Sequence, residues 1–163
     1  MKNYLNSILL AAFIVIFPGI SHADDTASGN EVSYIKRIEA EGMRTPPHFS
    51  YVVTAEAGKT IYISGMTPTL DGKTVRKMDF ESQVRNVYEK IGRALKAAGV
   101  SPRHVVRQRV HIVDITPDHA PVMRKVMQEF YQGPGPASTA VGTSGLFFPD
   151  LLVEVDVTAV INE

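Results

Sequence analysis

The sequence predicts an α+β protein of one domain, in which two helices pack on the same face of a β-sheet. The apolar residues recur at every second position in some segments and at every third or fourth position in others, and the segments follow the order β-β-α-β-α-β-β. A chain of 163 residues allows one domain and hardly more. With 44% hydrophobic and 21% charged residues, the composition is typical of a globular protein.

The first half of the predicted domain contains two strands and a long helix. The strands run over 51–55 and 60–66, with a turn at 57–59 between them. The helix follows Asp79, a good N-cap residue, and ends at Gly99, a common helix stop. One helical stripe carries the apolar residues Phe80, Val84, Val87, Ile91, Leu95 and Ala98.

The second half adds a strand over 105–114, a helix over 117–131, and two closing strands over 137–143 and 151–160. In the strands over 105–114 and 151–160, charged or polar residues alternate with apolar ones. The charged residues of both strands are therefore expected on the sheet face that the helices leave open. This face carries Arg107, Arg109, His111, Glu154 and Asp156. A half-polar open face on a small chain predicts an interface, and we therefore expect a homo-oligomer.

The N-terminus has the pattern of a secretory signal peptide. Lys2 precedes ten consecutive apolar residues over 8–17, and small residues lead up to Ala23. The alternative is a single membrane anchor, although ten apolar residues fall short of the ~20 that a span needs. Cleavage after Ala23 predicts a periplasmic or secreted protein, with a flexible arm over 24–46 and the domain over 47–163.

Charge and residue content exclude several functional classes. Lys plus Arg and Asp plus Glu both number 17, so the chain lacks the basic excess that nucleic acids or anionic membranes attract. We expect no nucleic-acid partner, and no membrane association after signal cleavage. The absence of cysteine excludes disulfides and a thiol nucleophile. The five histidines lack metal-ligand spacing, so we expect neither a metal nor another cofactor.

A series of short motifs covers most of the predicted domain: Tyr62-Ile63-Ser64-Gly65, Asp79-Phe80-Glu81-Ser82-Gln83, Ala97-Ala98-Gly99, Val110-His111-Ile112-Val113-Asp114, Glu129-Phe130-Tyr131, Pro136-Ala137 and Val153-Glu154-Val155-Asp156. In this order and spacing they resemble the RidA/YjgF family of imine and enamine deaminases. The resemblance implies a chorismate-mutase-like subunit in a homotrimer, with a small-molecule cleft between each pair of subunits. It also implies hydrolysis of 2-imino or 2-enamino acids to 2-keto acids and ammonia.

The resemblance also implies which residues form the cleft. Glu154 matches the family's acidic residue that manages the attacking water, and the backbone of Gly65 lines the cleft. Three other positions depart from the family pattern. Phe49 replaces a pocket tyrosine, Ala140 a serine or cysteine, and Thr116 an asparagine.

The largest departure is at Ser138, where active members of the family place an arginine that binds the substrate carboxylate. A charge-assisted hydrogen bond contributes ~1.5–3 kcal/mol. Efficient hydrolysis of free 2-imino acids is therefore not expected unless another cation substitutes. Arg107 and Arg109 are the candidates for that role.

Three functional hypotheses remain open at this point. The first is an exported hydrolase of a C–N bond in an imine, enamine or related small molecule. The second is a trimer that binds a small molecule or a partner in its clefts without turnover. The third, ribonuclease activity, is the weakest because the chain has no net positive charge and carries an export signal.

Overall fold

The structure, a computed structural model, describes residues 32–39, 41–43, 47–70, 73–74 and 78–162. The predicted signal peptide over 1–23 lies outside these residues, as does part of the predicted arm. In the described ranges, no helix combines the length and the apolar character needed to cross a bilayer.

The described ranges contain eight strands, two α-helices and one short 3-10 helix, Pro102–His104. In chain order the strands and α-helices are β1 (Ile35–Ile38), β2 (Val52–Ala55), β3 (Lys59–Met66), β4 (Thr69–Leu70), β5 (Lys73–Thr74), α1 (Phe80–Ala97), β6 (Val105–Val113), α2 (His119–Tyr131), β7 (Ala137–Thr143) and β8 (Val153–Ile161). The main sheet has the order β3-β8-β6-β7, antiparallel except for the parallel pair β6-β7. The predicted α+β class is confirmed.

The hydrophobic core lies between this sheet and the two helices. In β8 the buried Val153, Val155 and Val157 alternate with the half-buried Glu154 and Asp156. Four residues of the predicted helical stripe, Val84, Val87, Ile91 and Leu95, are buried against the same sheet face. Phe80 is half-buried, whereas Ala98 is exposed and caps the end of α1. Both helices therefore cover one face, as the alternation predicts, and the other face is left open.

The ends of α1 follow the sequence signals. The Asp79 side chain accepts a hydrogen bond from the Ser82 N–H at 2.8 Å, which satisfies an otherwise unpaired donor of the first turn. Gly99 follows the helix with a φ of +76°, a conformation that glycine adopts without steric cost. Helix α2 begins at His119 rather than at 117, because a hydrogen-bonded turn over 116–119 precedes it.

The prediction of a flexible arm over 24–46 is wrong for residues 35–38. These residues form β1, which pairs antiparallel with β2, and Ile35 is only 1% exposed. The Arg37 Nε donates to the carbonyl oxygen of Gly135 at 3.1 Å, which fastens β1 to the segment before β7. The sequence did not predict this strand, because its pairing partner β2 is 14 or more residues distant in sequence.

Candidate functional site

The open face of the sheet contains a depression of about 540 Å³ between β3, β6 and β8. Four of the predicted site residues line it: Gly65, Arg107, Arg109 and Glu154. His111 lies directly opposite Glu154 across the β6-β8 ladder and lines the same depression. This half of the predicted site is therefore rich in ionisable groups.

Arg109 is paired within the chain. Its Nε lies 3.0 Å and 3.1 Å from the two carboxylate oxygens of Asp156, its neighbour on β8. Asp156 thus acts as a structural charge that is paired with Arg109. Arg109 already has a carboxylate partner, which weakens its case as a replacement cation for a substrate.

Glu154 lies against the backbone of Gly65. The β3-β8 register shifts between Ile63 and Met66, and Gly65 lies inside this irregular segment. A Cβ atom at Gly65 would lie 2.8 Å from the Glu154 Cδ, and closer still to Oε1. Within the described part of the chain, the Glu154 carboxylate forms no hydrogen bond or ion pair. It is therefore available to a water molecule or a ligand.

The other predicted site residues form a second pocket, of about 290 Å³, between α2 and β7. Phe49, Thr116, Ser138 and Ala140 all line it. Its remaining wall is mostly apolar and consists of Val110, Ile112, Ile115, Ala120, Met123 and Met127, together with His48 and His119. The structure brings these four predicted residues together and adds two histidines that were not among the predicted site residues.

Ser138 belongs to a buried hydrogen-bond network centred on Gln108. The Gln108 Nε2 donates to the Ser138 Oγ at 2.9 Å. The hydroxyls of Tyr88 and Tyr131 both donate to the Gln108 Oε1, at 2.9 Å and 2.7 Å. Burial raises the pKa of both tyrosines, so they remain protonated donors. Gln108 was not among the predicted site residues. The sequence did contain a sign of its role, because Gln108 is a polar residue on the strand face that otherwise carries the apolar Val106, Val110 and Ile112.

His48 and His119 are held in different ways. The His119 Nδ1 accepts a hydrogen bond from the Thr116 N–H at 2.9 Å. The His48 Nδ1 is buried and has no hydrogen-bond partner among the described residues. Burial, and secondarily the charge of Arg124, lowers the pKa of His48. His48 therefore contributes a neutral imidazole at neutral pH.

The two halves of the predicted site lie on opposite faces of the sheet within one chain. Ser138 is level with Gln108 on the helix side of the sheet, whereas Glu154 projects to the open side. Arg107 borders both regions, since it also lines a hollow of about 350 Å³ with Phe49 and Ser138. Of the two candidate cations, Arg107 is thus the one that shares a surface with Ser138.

Among the residues that the structure describes, no three His, Asp or Glu side chains group together in a way that would hold a metal ion.

Comparison with known proteins places the chain in a family. Residues 42–161 match the family model described as endoribonuclease L-PSP. A RutC family protein of Pyrococcus horikoshii is 35% identical over 111 residues, which cover 67% of this chain and 85% of that protein. A 2-iminobutanoate/2-iminopropanoate deaminase of Dermatophagoides farinae is 26% identical over 116 residues, covering 68% and 86%.

A solved structure agrees with this assignment. The Rid-family protein of unknown function from Yersinia pestis superimposes with a TM-score of 0.72 and 29% identity, covering 78% of this chain and 99% of that one. The fold and these relatives define a Rid-type protein. The chain belongs to the RidA/YjgF family.

Proposed function

We propose that this protein is an exported RidA-type hydrolase that cleaves an imine, enamine or related C–N bond of a small molecule. The observation that carries the proposal is the carboxylate of Glu154, which rests against the Gly65 backbone while Asp156 and Arg109 neutralise each other nearby. A positioned carboxylate without a permanent partner suits general acid–base chemistry on a water molecule.

The active cleft, in this proposal, is assembled from two subunits of a homotrimer. One subunit contributes Glu154 and Gly65 from its open face, and the next contributes the pocket around Ser138. Two features support this arrangement. The two sets of residues lie on opposite faces of a single sheet, and Tyr62 beside the open-face depression is 81% exposed in one chain.

The proposed reaction converts an imine and water into a carbonyl compound and ammonia. Glu154 accepts a proton from the water as the water oxygen bonds to the imine carbon, and the imine nitrogen takes up a second proton from solvent. Glu154 then gives its proton to the nitrogen, the C–N bond breaks, and ammonia leaves as the new hydroxyl returns a proton to solvent and becomes the carbonyl. An enamine enters the same sequence after a proton shifts from nitrogen to carbon.

The substrate is not a free 2-imino acid in this proposal. The Dermatophagoides farinae relative is named for two such acids. In this chain, Ser138 lies at the position where the family resemblance implies a carboxylate-binding arginine. Losing one or two charge-assisted hydrogen bonds of ~1.5–3 kcal/mol each weakens carboxylate binding by about tenfold to several thousandfold.

Ammonia release from freshly generated imines tests the proposal. 2-Iminopropanamide and 2-iminopropanoate have the same carbon skeleton and differ in charge. We expect the amide to be hydrolysed faster than background by the wild type, and the acid much less so. Glu154→Gln should reduce the rate to background, whereas Glu129→Gln, a matched change on the outer face of α2, should retain it. Equal rates for wild type and Glu154→Gln would reject the hydrolase.

A second candidate is a trimer that binds a small molecule in the same clefts without turnover. The apolar lining of the pocket and the absence of arginine at position 138 favour it. It predicts ligand binding by the wild type that Glu154→Gln leaves unchanged, with no ammonia released from either imine.

Export is tested separately. Expression of the full chain in a bacterium with two membranes should yield a periplasmic protein whose first residue is Asp24. A membrane-bound protein that retains Met1 would support the alternative of an N-terminal anchor.

A further inference from the structure

The direction of the hydrogen bonds around Gln108 determines what Ser138 offers to a ligand. Tyr88 and Tyr131 both donate to the Gln108 Oε1, at 2.9 Å and 2.7 Å, and the Gln108 Nε2 lies 3.5 Å from the Met127 Sδ, which can only accept a hydrogen bond, so this sulfur sets the orientation of the buried amide. The Gln108 Nε2 must then face β7, where it donates to the Ser138 Oγ at 2.9 Å. The Ser138 oxygen is thus already an acceptor, and its single proton is left to point into the pocket.

Among the described residues, the lining of the pocket that receives this proton contains no Arg, Lys, Asp or Glu side chain. Among the described residues that line it, the polar side chains are Ser138, Thr116 and two imidazoles, and the rest are apolar. Arg124 acts electrostatically on His48 but does not line the pocket. Within one subunit, a carboxylate entering this pocket would lose water without meeting an Arg or Lys side chain of the lining, which is costly. An uncharged acceptor such as a carbonyl oxygen loses much less on entry and can accept the Ser138 proton.

We propose that this pocket selects an uncharged ligand with an apolar body and a carbonyl oxygen, which Ser138 binds as a hydrogen-bond donor while Gln108 acts as its positioning residue. This inference rests on the proposed function, because it specifies the substrate class of that cleft. It assigns a role to Gln108 and implies that a carboxamide or a similar neutral carbonyl group takes the place of a carboxylate.

Benzamide and benzoate test this selectivity, because they have nearly the same size and shape but differ in charge. Binding is measured by NMR titration of the purified protein, and shifts at the Thr116 and Ala140 amides locate the ligand in this pocket. We expect benzamide to bind at least about tenfold more tightly than benzoate. No detectable benzamide binding, or a preference for benzoate, would overturn the proposal. A benzoate preference that Arg124→Ala abolishes would assign the anion to Arg124 instead.

Variants at Ser138 test the donor. Ser138→Ala should weaken benzamide binding by about two- to tenfold, the range expected for one ordinary hydrogen bond. Ser138→Thr should bind benzamide about as tightly as the wild type, because threonine retains the hydroxyl. Ser144→Ala is the matched control, since Ser144 is exposed and outside the pocket lining. Equal affinity in Ser138→Ala and Ser144→Ala would contradict the assigned role.

A double-mutant cycle tests whether Gln108 acts through Ser138. Gln108→Met should weaken benzamide binding in the wild-type background but not in the S138A background, because the oriented hydroxyl is then absent. Additive losses would show that Gln108 supports the pocket only structurally. Thermal unfolding of each variant confirms that it is folded at the titration temperature.

Binding in these titrations is measured without turnover, so its outcome is separate from that of the proposed hydrolysis. If the protein binds benzamide through Ser138 but releases no ammonia from any imine, the selectivity proposed here stands and the proposed hydrolase activity is rejected. If hydrolysis depends on Glu154 but the protein shows no preference for uncharged ligands, the hydrolase activity stands and the selectivity proposed here is rejected.

Discussion

Gly65→Ala tests whether the position of Glu154 matters for turnover. A Cβ on Gly65 would lie 2.8 Å from the Glu154 Cδ, whereas ordinary contacts of a Cβ begin at 3.4 Å. The carboxylate must therefore retreat by roughly 0.6 Å or more, and its nearer oxygen must move further. Because a misplacement of about 1 Å can cost on the order of a hundredfold in rate, we expect ammonia release to fall about ten- to a hundredfold.

The same substitution should leave the fold intact. The group that must move is the end of a flexible side chain, and alanine also reduces the freedom of the unfolded chain, so the free energy of unfolding should change by less than about 1 kcal/mol. Gly145→Ala is the matched control, since no heavy atom lies within 4 Å of a Cβ there. Equal ammonia release by the two variants would refute the role given to the Glu154 position.

Four further predictions concern other parts of the structure. Gln83→Leu should lower the free energy of unfolding by about 1–3 kcal/mol in chemical denaturation, because the buried amide bonds to the backbone just before β8. Asp156→Asn should cost only about 0.2–1 kcal/mol in the same assay, because its partner Arg109 is 57% exposed to solvent. NMR should find the pKa of His48 below 6.5, and Arg124→Ala should raise it. Because the imidazole binds a proton more readily in the unfolded chain than in the folded one, the free energy of unfolding should fall as the pH drops below 6.5. Ser138→Arg should raise hydrolysis of 2-iminopropanoate about tenfold or more, and an unchanged rate would show that Phe49 and the other departures also prevent it.

Local sequence signals predicted most of the fold. The Asp79 cap and the Gly99 stop bound α1 as expected, because each depends on its neighbours along the chain. Alternation in β8 separated Val155 from Glu154 correctly, because adjacent side chains of a strand face opposite sides. Strand β1 was missed, since its stability comes from pairing with β2 and from the Arg37 contact to a distant carbonyl.

The candidate site residues lie in two separate depressions of one chain, a division that the sequence did not predict. Ser138 and Ala140 point into one pocket and Glu154 into a separate depression, and β-strand alternation alone does not reveal how two such surfaces combine. The role of Gln108 was missed for a related reason. Its importance depends on Tyr88 and Tyr131, which come from two different helices and meet only in the folded core.

The central claim is that each active cleft combines Glu154 of one subunit with the Ser138 pocket of the next. Subunit mixing tests it most directly, with Glu154→Gln disabling one half and Ala140→Trp filling the other. Ammonia release from 2-iminopropanamide is measured for each variant alone and after the two are unfolded and refolded together. We expect each variant alone to be inactive and the equal mixture to regain about a quarter of the wild-type rate of ammonia release. Random assembly makes about three quarters of the trimers mixed, and each mixed trimer contains one intact cleft out of three. A mixture as inactive as its components would contradict the shared cleft.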